Sequence, residues 1–278
     1  MNEWAKQTLK QLPTSIFLTL IFFSLTFVLE QPSITQNIVP KREFDPTDPS
    51  LSYISESSIV PYSLVVVGLI SVVMFSPLLA MHISPVLSVE LFLSSWLCVS
   101  IQYLFASFLK VATGRLRPDF LSRCQWDSTL EECTGSPSAI FQGRLSFPSG
   151  HSTASMCASM LLASTMFCVF VNHRNDWHPR ALRAVISVVS TRGWVGVSFL
   201  PILFGLFVGI SRTLDHHHHA TDVGTGMTIG ATFAVAAVAL AERNFAKYQA
   251  EKLGSTDKGR VKEIMGDHWL EGKPNSAV

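Results

Sequence analysis

Six apolar runs divide this chain, at about 12–29, 61–81, 86–109, 151–171, 193–210 and 223–240. Each is near the length an α-helix needs to cross the hydrocarbon core of a bilayer. In lipid the backbone must satisfy its own hydrogen bonds, so a run of this kind forms a helix or leaves the membrane. The expected fold is therefore all-α: a polytopic membrane protein, a bundle of six transmembrane helices. Composition agrees. Only 15% of residues are charged, against about 25% in an ordinary globular domain. The formal net charge is +1 and the basic residues are scattered, so the chain offers no field or patch for nucleic acid.

The runs set the organisation. Residues 1–11 form a polar, cytosolic N-terminus and 12–241 a six-span domain. Residues 242–278 form a charged, aromatic-poor tail, cytosolic and partly disordered. The first run ends in Glu30-Gln31-Pro32, without the small-x-small site of a cleaved signal peptide, and reads as an uncleaved span. The segments 30–60, 110–150 and 172–192 read as polar loops, and Glu90 is a lone acid inside the third run. The sixth run, rich in Gly, Ala, Val and Thr, suits close helix packing. Lys and Arg are in excess on the face that holds both termini. That places the termini in the cytosol and the loops 30–60, 110–150 and 211–222 in the lumen or outside. Cys124 and Cys133 share one of those loops and form a candidate disulfide there. Cys98, Cys157 and Cys168 fall in apolar runs or at their ends and read as packing residues.

Three polar clusters then fall on one face, each against the end of a span. Lys110 and Arg117 stand seven residues apart, followed by Pro118. If the third helix continues past Lys110 they share a helix face, and two cations on one face make an oxyanion site. Snorkelling at a span end is the bland alternative. Pro148-Ser149-Gly150-His151 opens the fourth span. Free backbone N–H groups at a helix start bind anions, and Gly150 permits close approach. Ser149 either caps the helix or donates to the anion, with His151 beside it as a proton donor. The third cluster, Ser211 to Asp222, reads S-R-T-L-D-H-H-H-H-A-T-D. Arg212 is a further fixed cation. His218 and Asp222 are four apart and share a face if the sixth helix begins there. An Asp-oriented neutral imidazole is a nucleophile. A metal held by Asp215, Asp222 and the histidines is the competing reading, opposed by the cations nearby.

In these residues the sequence resembles the type 2 phosphatidic acid phosphatase superfamily, specifically the integral-membrane lipid phosphate phosphatases. The motifs K-x6-R-P, P-S-G-H and S-R-x5-H-x3-D stand in order as Lys110 to Pro118, Pro148 to His151, and Ser211 to Asp222, and the resemblance covers roughly Leu12 to Leu240. It selects His218 from the four consecutive histidines. It implies an enzyme that needs no metal and no cofactor, with its active site facing the lumen or the outside. The reaction implied is hydrolysis of phosphatidate, and of relatives such as lysophosphatidate or diacylglycerol pyrophosphate, through a phosphohistidine. His218, His151 and Asp222 would be catalytic; Lys110, Arg117, Arg212, Ser149 and Gly150 would bind phosphate. The partners implied are a lipid phosphate and the bilayer, with a homo-oligomer left open. Sphingoid-base or polyisoprenyl phosphates are alternative substrates, and a non-catalytic lipid binder or an anion transporter are alternative functions.

Overall fold

The computed structural model describes residues 3–265, and six of its helices are long and apolar enough to span a membrane, as the pattern predicts. In chain order the helices are α1 (Glu3–Leu29), α2 (Tyr62–Phe75), α3 (Pro85–Thr113), α4 (Gly150–Phe167), the short α5 (Arg180–Val188), α6 (Thr191–Leu214) and α7 (Ala220–Met265). A 3-10 turn, Ser76–His82, prolongs α2, and a π turn, Cys168–Asn172, prolongs α4. Serines start three of the spans. Ser84, Ser149 and Ser190 accept hydrogen bonds from the backbone N–H of Val86, Ser152 and Gly193, satisfying donors that a helix start leaves free.

Helix α4 is the axis of the bundle. It packs against α7, α6 and α2, while α3 packs against α7 and α1. Of its span 61% is buried, against 6% for α1 and 22% for α6. The outer helices turn large apolar side chains such as Phe17, Phe27 and Leu203 outward, as lipid requires. The tightest contact is between α4 and α7. A Cβ on Gly226 would stand 2.7 Å from the Ser149 carbonyl oxygen, and one on Gly230 would collide with that of Thr153. Small residues on both helices let the backbones meet, the packing that substitutes for the hydrophobic effect within lipid. Glu90, the lone acid of the third run, is buried on α3 and accepts a hydrogen bond from Asn244 Nδ2 on α7 at 2.9 Å.

Several boundaries differ from the sequence reading. Helix α1 begins at Glu3, so residues 3–11 are helical, while the apolar span itself is Leu12–Leu29, as the sequence reads. Helix α7 runs on to Met265, into the segment 242–278 read as a charged, partly disordered tail. Good helix formers without proline follow Ala241, and buried Ala241 and Phe245 with partly buried Tyr248 prolong the apolar stripe. Residues 266–278 of that tail lie outside the described residues. The 172–192 loop contains α5, whose Arg180 and Arg183 share nine residues with the exposed Val185 and Val188. Such a helix suits the plane of a membrane interface. Beside it the rings of His82, Trp177, Phe170 and Trp194 stack in series, with centroids 5.7, 5.4 and 4.3 Å apart.

At the opposite end the loops are built structures. The 110–150 segment holds two short helices, Phe120–Cys124 and Pro137–Gly143, and a two-stranded hairpin. Cys124 and Cys133 are bonded as a disulfide. Leu51 from the 30–60 segment joins Leu116, Phe120 and Cys124 in a small core of its own. That segment crosses over the bundle end: Tyr53 N donates to Pro118 O at 3.2 Å, Arg42 Nε to Thr113 O at 2.9 Å, and Ile59 N to Asp215 Oδ2 at 3.1 Å.

The helix contact gives a paired test. Gly230→Ala should destabilise the protein by about 1–3 kcal/mol through overpacking. Gly224→Ala, whose new methyl would meet nothing within 4 Å, should stabilise it by about 0.5–1 kcal/mol. Thermal midpoints of the two variants in one detergent check both signs.

Candidate active site

All three clusters meet at one end of the bundle. Lys110, Arg117, Gly150, His151 and His218 line one cavity of about 330 Å³, together with Glu30, Tyr62 and Ser107. The local chain explains each placement. Helix α3 stops at Thr113 because Gly114 adopts φ +54° and caps it. Lys110 and Arg117 therefore do not share a helix face, as the spacing suggested. The left-handed glycine reverses the chain four residues before Pro118 and carries Arg117 back over the cavity. Arg117 N then donates to Gly143 O at 2.9 Å, and Ser146 N to Arg115 O at 3.0 Å, zipping the first cluster to the segment that precedes the second.

The Arg117 guanidinium is held by carbonyls: Nε donates to Gln142 O at 3.0 Å, with Nη1 3.4 Å from His217 O. Nη1 also lies 3.5 Å from His218 Nε2. Burial lowers the Arg117 pKa to about 10, which still leaves it charged at neutral pH. Lys110 lies on the far side of Gly150, where an added Cβ would stand 3.0 Å from its Nζ.

His218 is buried, and its Nδ1 sits 2.8 Å from the backbone carbonyl oxygen of Ser146. A carbonyl only accepts, so Nδ1 carries the hydrogen and Nε2 bears the lone pair, turned toward Arg117. Burial, reinforced by the Arg117 charge, pushes its pKa down to about 3. The ring is neutral at physiological pH, with its nucleophilic nitrogen beside a fixed cation.

Asp222 does not orient His218 directly. Helix α7 starts at Ala220, so His218 lies in the preceding loop and the expected shared face does not form. The nearest approach is 3.8 Å, beyond hydrogen-bonding reach. Asp222 instead accepts from Ser146 Oγ at 2.6 Å, from Arg115 Nη1 at 2.6 Å and from the backbone N–H of His219 at 3.0 Å. The last bond is an acid in the first turn reaching back to the residue before its helix. Ser146 is thus the link, its carbonyl on His218 and its hydroxyl on Asp222.

Arg212 is fully buried, bridged to Asp215 at 2.6 Å, with Nη1 3.4 Å from His151 Nε2. It adjoins the cavity through His151. Ser149 takes the capping alternative: its Oγ accepts from Ser152 N and Ser152 Oγ, at 3.4 and 3.0 Å, and it is absent from the cavity wall. The donors of the metal alternative are already partnered. Asp215 is committed to Arg212, Asp222 to Arg115 and Ser146, and among the described residues no three donors here come close enough to share an ion.

Three functional neighbours escaped the sequence reading. Arg115 lies within the first cluster, and Ser146 stands two residues before Pro148; both were near enough to motifs to be suspected. Glu30, at the end of α1, accepts from Ser107 Oγ at 3.0 Å and brings a carboxylate to the cavity rim. Nothing in its own segment signals that.

Fixed guanidinium and ammonium groups around a neutral imidazole, at one end of a membrane bundle, define a site for a phosphoryl-type oxyanion. The chain belongs to the PAP2 superfamily, whose family model matches residues 91–246, from α3 to α7. Among curated proteins it is similar to mouse phospholipid phosphatase 2, with 36% identity over 135 residues, 45% of this chain and 43% of that protein. It is also similar to rat phospholipid phosphatase 1, with 29% identity over 218 residues, 69% of this chain and 72% of that protein. Human phospholipid phosphatase 2 is 35% identical over 140 residues, 46% and 43% of the two chains. Thus the chain spans less than half the length of the phospholipid phosphatase 2 proteins it matches. No solved structure matches it.

The Asp222 network can be tested through its counter-ion. Arg115→Leu leaves a buried carboxylate without its cation and should cost about 3 kcal/mol of stability. Adding Asp222→Asn should recover part of that loss. A double-mutant cycle on thermal midpoints reads the coupling; additive effects would separate the two residues.

Proposed function

We propose that this protein is an integral-membrane lipid phosphate phosphatase that hydrolyses phosphatidate to diacylglycerol and phosphate. One observation carries the reading. The cationic cavity meets a second, apolar cavity of about 370 Å³ at two shared residues, Glu30 and Tyr62. Phe23 and Phe27 of α1, Val66 and Leu69 of α2, and Trp96 and Tyr103 of α3 line that groove. A charged pocket that shares two wall residues with an apolar groove suits an amphiphile with a phosphate head and acyl chains. A soluble phosphate ester would leave the groove unused.

In the proposed reaction His218 Nε2 attacks phosphorus in line, and the bond to the alkoxide oxygen breaks as the N–P bond forms. Lys110, Arg117 and the Gly150 N–H balance the charge on the phosphoryl oxygens. His151 takes up the proton that the phosphate monoanion gives up as it binds, and passes that proton to the leaving alkoxide. As a neutral base it then takes a proton from water, which attacks the phosphohistidine and releases phosphate. Ser146 O keeps the hydrogen of His218 on Nδ1 throughout, with Asp222 stabilising the charge on the ring through the Ser146 link. Arg212 orients His151. No step calls for a metal. We place the site on the lumenal or extracellular side, with cytosolic termini. The Lys/Arg distribution supports this, as does the Cys124–Cys133 disulfide on the same face as the cavity.

His218→Ala should lower phosphate release from phosphatidate by more than 10³-fold in detergent solution, with the melting midpoint retained. Wild-type protein given labelled lipid phosphate and quenched should carry an acid-labile, base-stable adduct. Undiminished turnover by the variant would remove His218 as nucleophile, and a protein that binds lipid phosphate without releasing phosphate would be a carrier.

Glu30 favours a second substrate reading. A carboxylate at the junction rewards a hydrogen-bond donor next to the phosphate, such as the hydroxyl of lysophosphatidate or the ammonium of a sphingoid-base phosphate. Glu30→Gln should lower kcat/KM for these relative to phosphatidate by about 5–10-fold, the worth of one charge-assisted hydrogen bond. A panel of the three lipids with both proteins decides it, and an unchanged ratio excludes Glu30 from selection.

A further inference from the structure

We propose that Cys168, His173 and Glu242, at the end of the bundle opposite the catalytic cavity, form a binding site for zinc or a similar transition-metal ion. One donor atom from each lies within 4.8 Å of the others, and no other such trio occurs among the described residues. His173 Nε2 and Glu242 Oε1 are 3.6 Å apart. Two light-atom ligands on tetrahedral zinc stand about 3.4 Å apart, so this edge is already at coordination distance.

The backbone supplies the arrangement. The π turn at the end of α4 makes an i→i+5 hydrogen bond, from His173 N to Cys168 O at 3.0 Å. The wider ring brings His173 round above Cys168, and isolated π turns of this kind gather at functional sites. Glu242 comes from α7, across the interface that α4 and α7 share. The surroundings are those of a metal site. The Asp176 carboxylate accepts from His173 Nδ1 at 3.0 Å. That fixes the tautomer and turns the lone pair of Nε2 toward Cys168 and Glu242, the usual second partner of a metal-bound histidine. Asn172 Nδ2 donates to Glu242 Oε1 at 3.2 Å and steadies the carboxylate.

Access and selectivity follow from the same residues. Cys168 is buried, while His173 and Glu242 are partly exposed. Two of the three, Cys168 and Glu242, line a cavity of about 390 Å³ together with Asn172, which leaves space for water as fourth ligand. Thiolate with imidazole selects zinc or cobalt over magnesium or calcium. Binding displaces the Cys168 thiol proton to solvent. The bland alternative is a protonated His173 held between two carboxylates, with the Cys168 thiol keeping its proton and donating it to Glu242 in a hydrogen bond.

Cobalt tests the site, because a thiolate ligand gives it a charge-transfer absorption that imidazole and carboxylate do not. Full-length protein stripped of metal and titrated with Co²⁺ should show that band and saturate at one equivalent. Cys168→Ser should lose the band, and Asp176→Asn should keep it with about 10–100-fold weaker affinity. The histidines at 216–219 give no such band, so His218→Ala should leave it unchanged. Zinc should also raise the melting midpoint of the wild type and not of His173→Ala. A band that survives Cys168→Ser overturns the proposal, as does folded wild type that shows neither band nor zinc-dependent stabilisation. Neither readout uses the phosphatase reaction, so this proposal and the one above stand or fall separately.

Discussion

The close approach of α4 and α7 holds the remainder of the molecule in place. Gly226 and Gly230 set their backbones nearly in contact with Ser149 and Thr153, so neither helix slides or turns without a clash. Both ends of the pair carry chemistry. At one end α4 begins with Gly150 and His151, and the first turn of α7 holds Asp222; Ser149 N even donates to Asp222 O at 3.1 Å. At the other end stand Cys168, His173 and Glu242. Small residues here therefore set the geometry of the candidate site as well as the stability of the pair. Within lipid there is no water-driven force to repair a bad fit.

A second constraint is the handling of charge. The cavity end gathers many ionisable groups at a membrane boundary, where an unpaired charge is expensive. The carboxylates are spoken for: Asp222 by Arg115 and Ser146, Asp215 by Arg212, Asp119 by Arg123. What remains facing the cavity is cationic, apart from Glu30 at the rim. Three of the arginines thus neutralise acids, which leaves Arg117 and Lys110 facing the space where an anion would sit. The imidazole beside them is kept neutral by the same burial that costs the cations some of their solvation.

Much of this was legible in the sequence. The six spans follow from run length alone, because lipid leaves the backbone one local solution. The three clusters were legible as chemistry, and their convergence followed from topology. What could not be read were the links that depend on where a helix stops. The Lys110–Arg117 spacing suggested two helical turns, but Gly114 ends α3 first. The His218–Asp222 spacing suggested a shared face, but α7 begins two residues later, and Ser146 fills the gap from a distant part of the chain. Glu30 reaches the cavity only through packing of α1, which no local pattern encodes. The extension of α7 was legible only in part. Its charge was read as a tail, although Ala241, Phe245 and Tyr248 continue the apolar stripe.

That extension has a mechanical consequence. At 46 residues α7 is about 70 Å long, and a bilayer with its headgroups is only about 40–45 Å thick. A third or more of this rod has to stand clear of the membrane. Asp222 sits in its first turn, and no proline interrupts it afterwards. A torque or a pull applied to the projecting end is therefore felt at the catalytic end with little lost to bending, like a handle fixed to the lock it works.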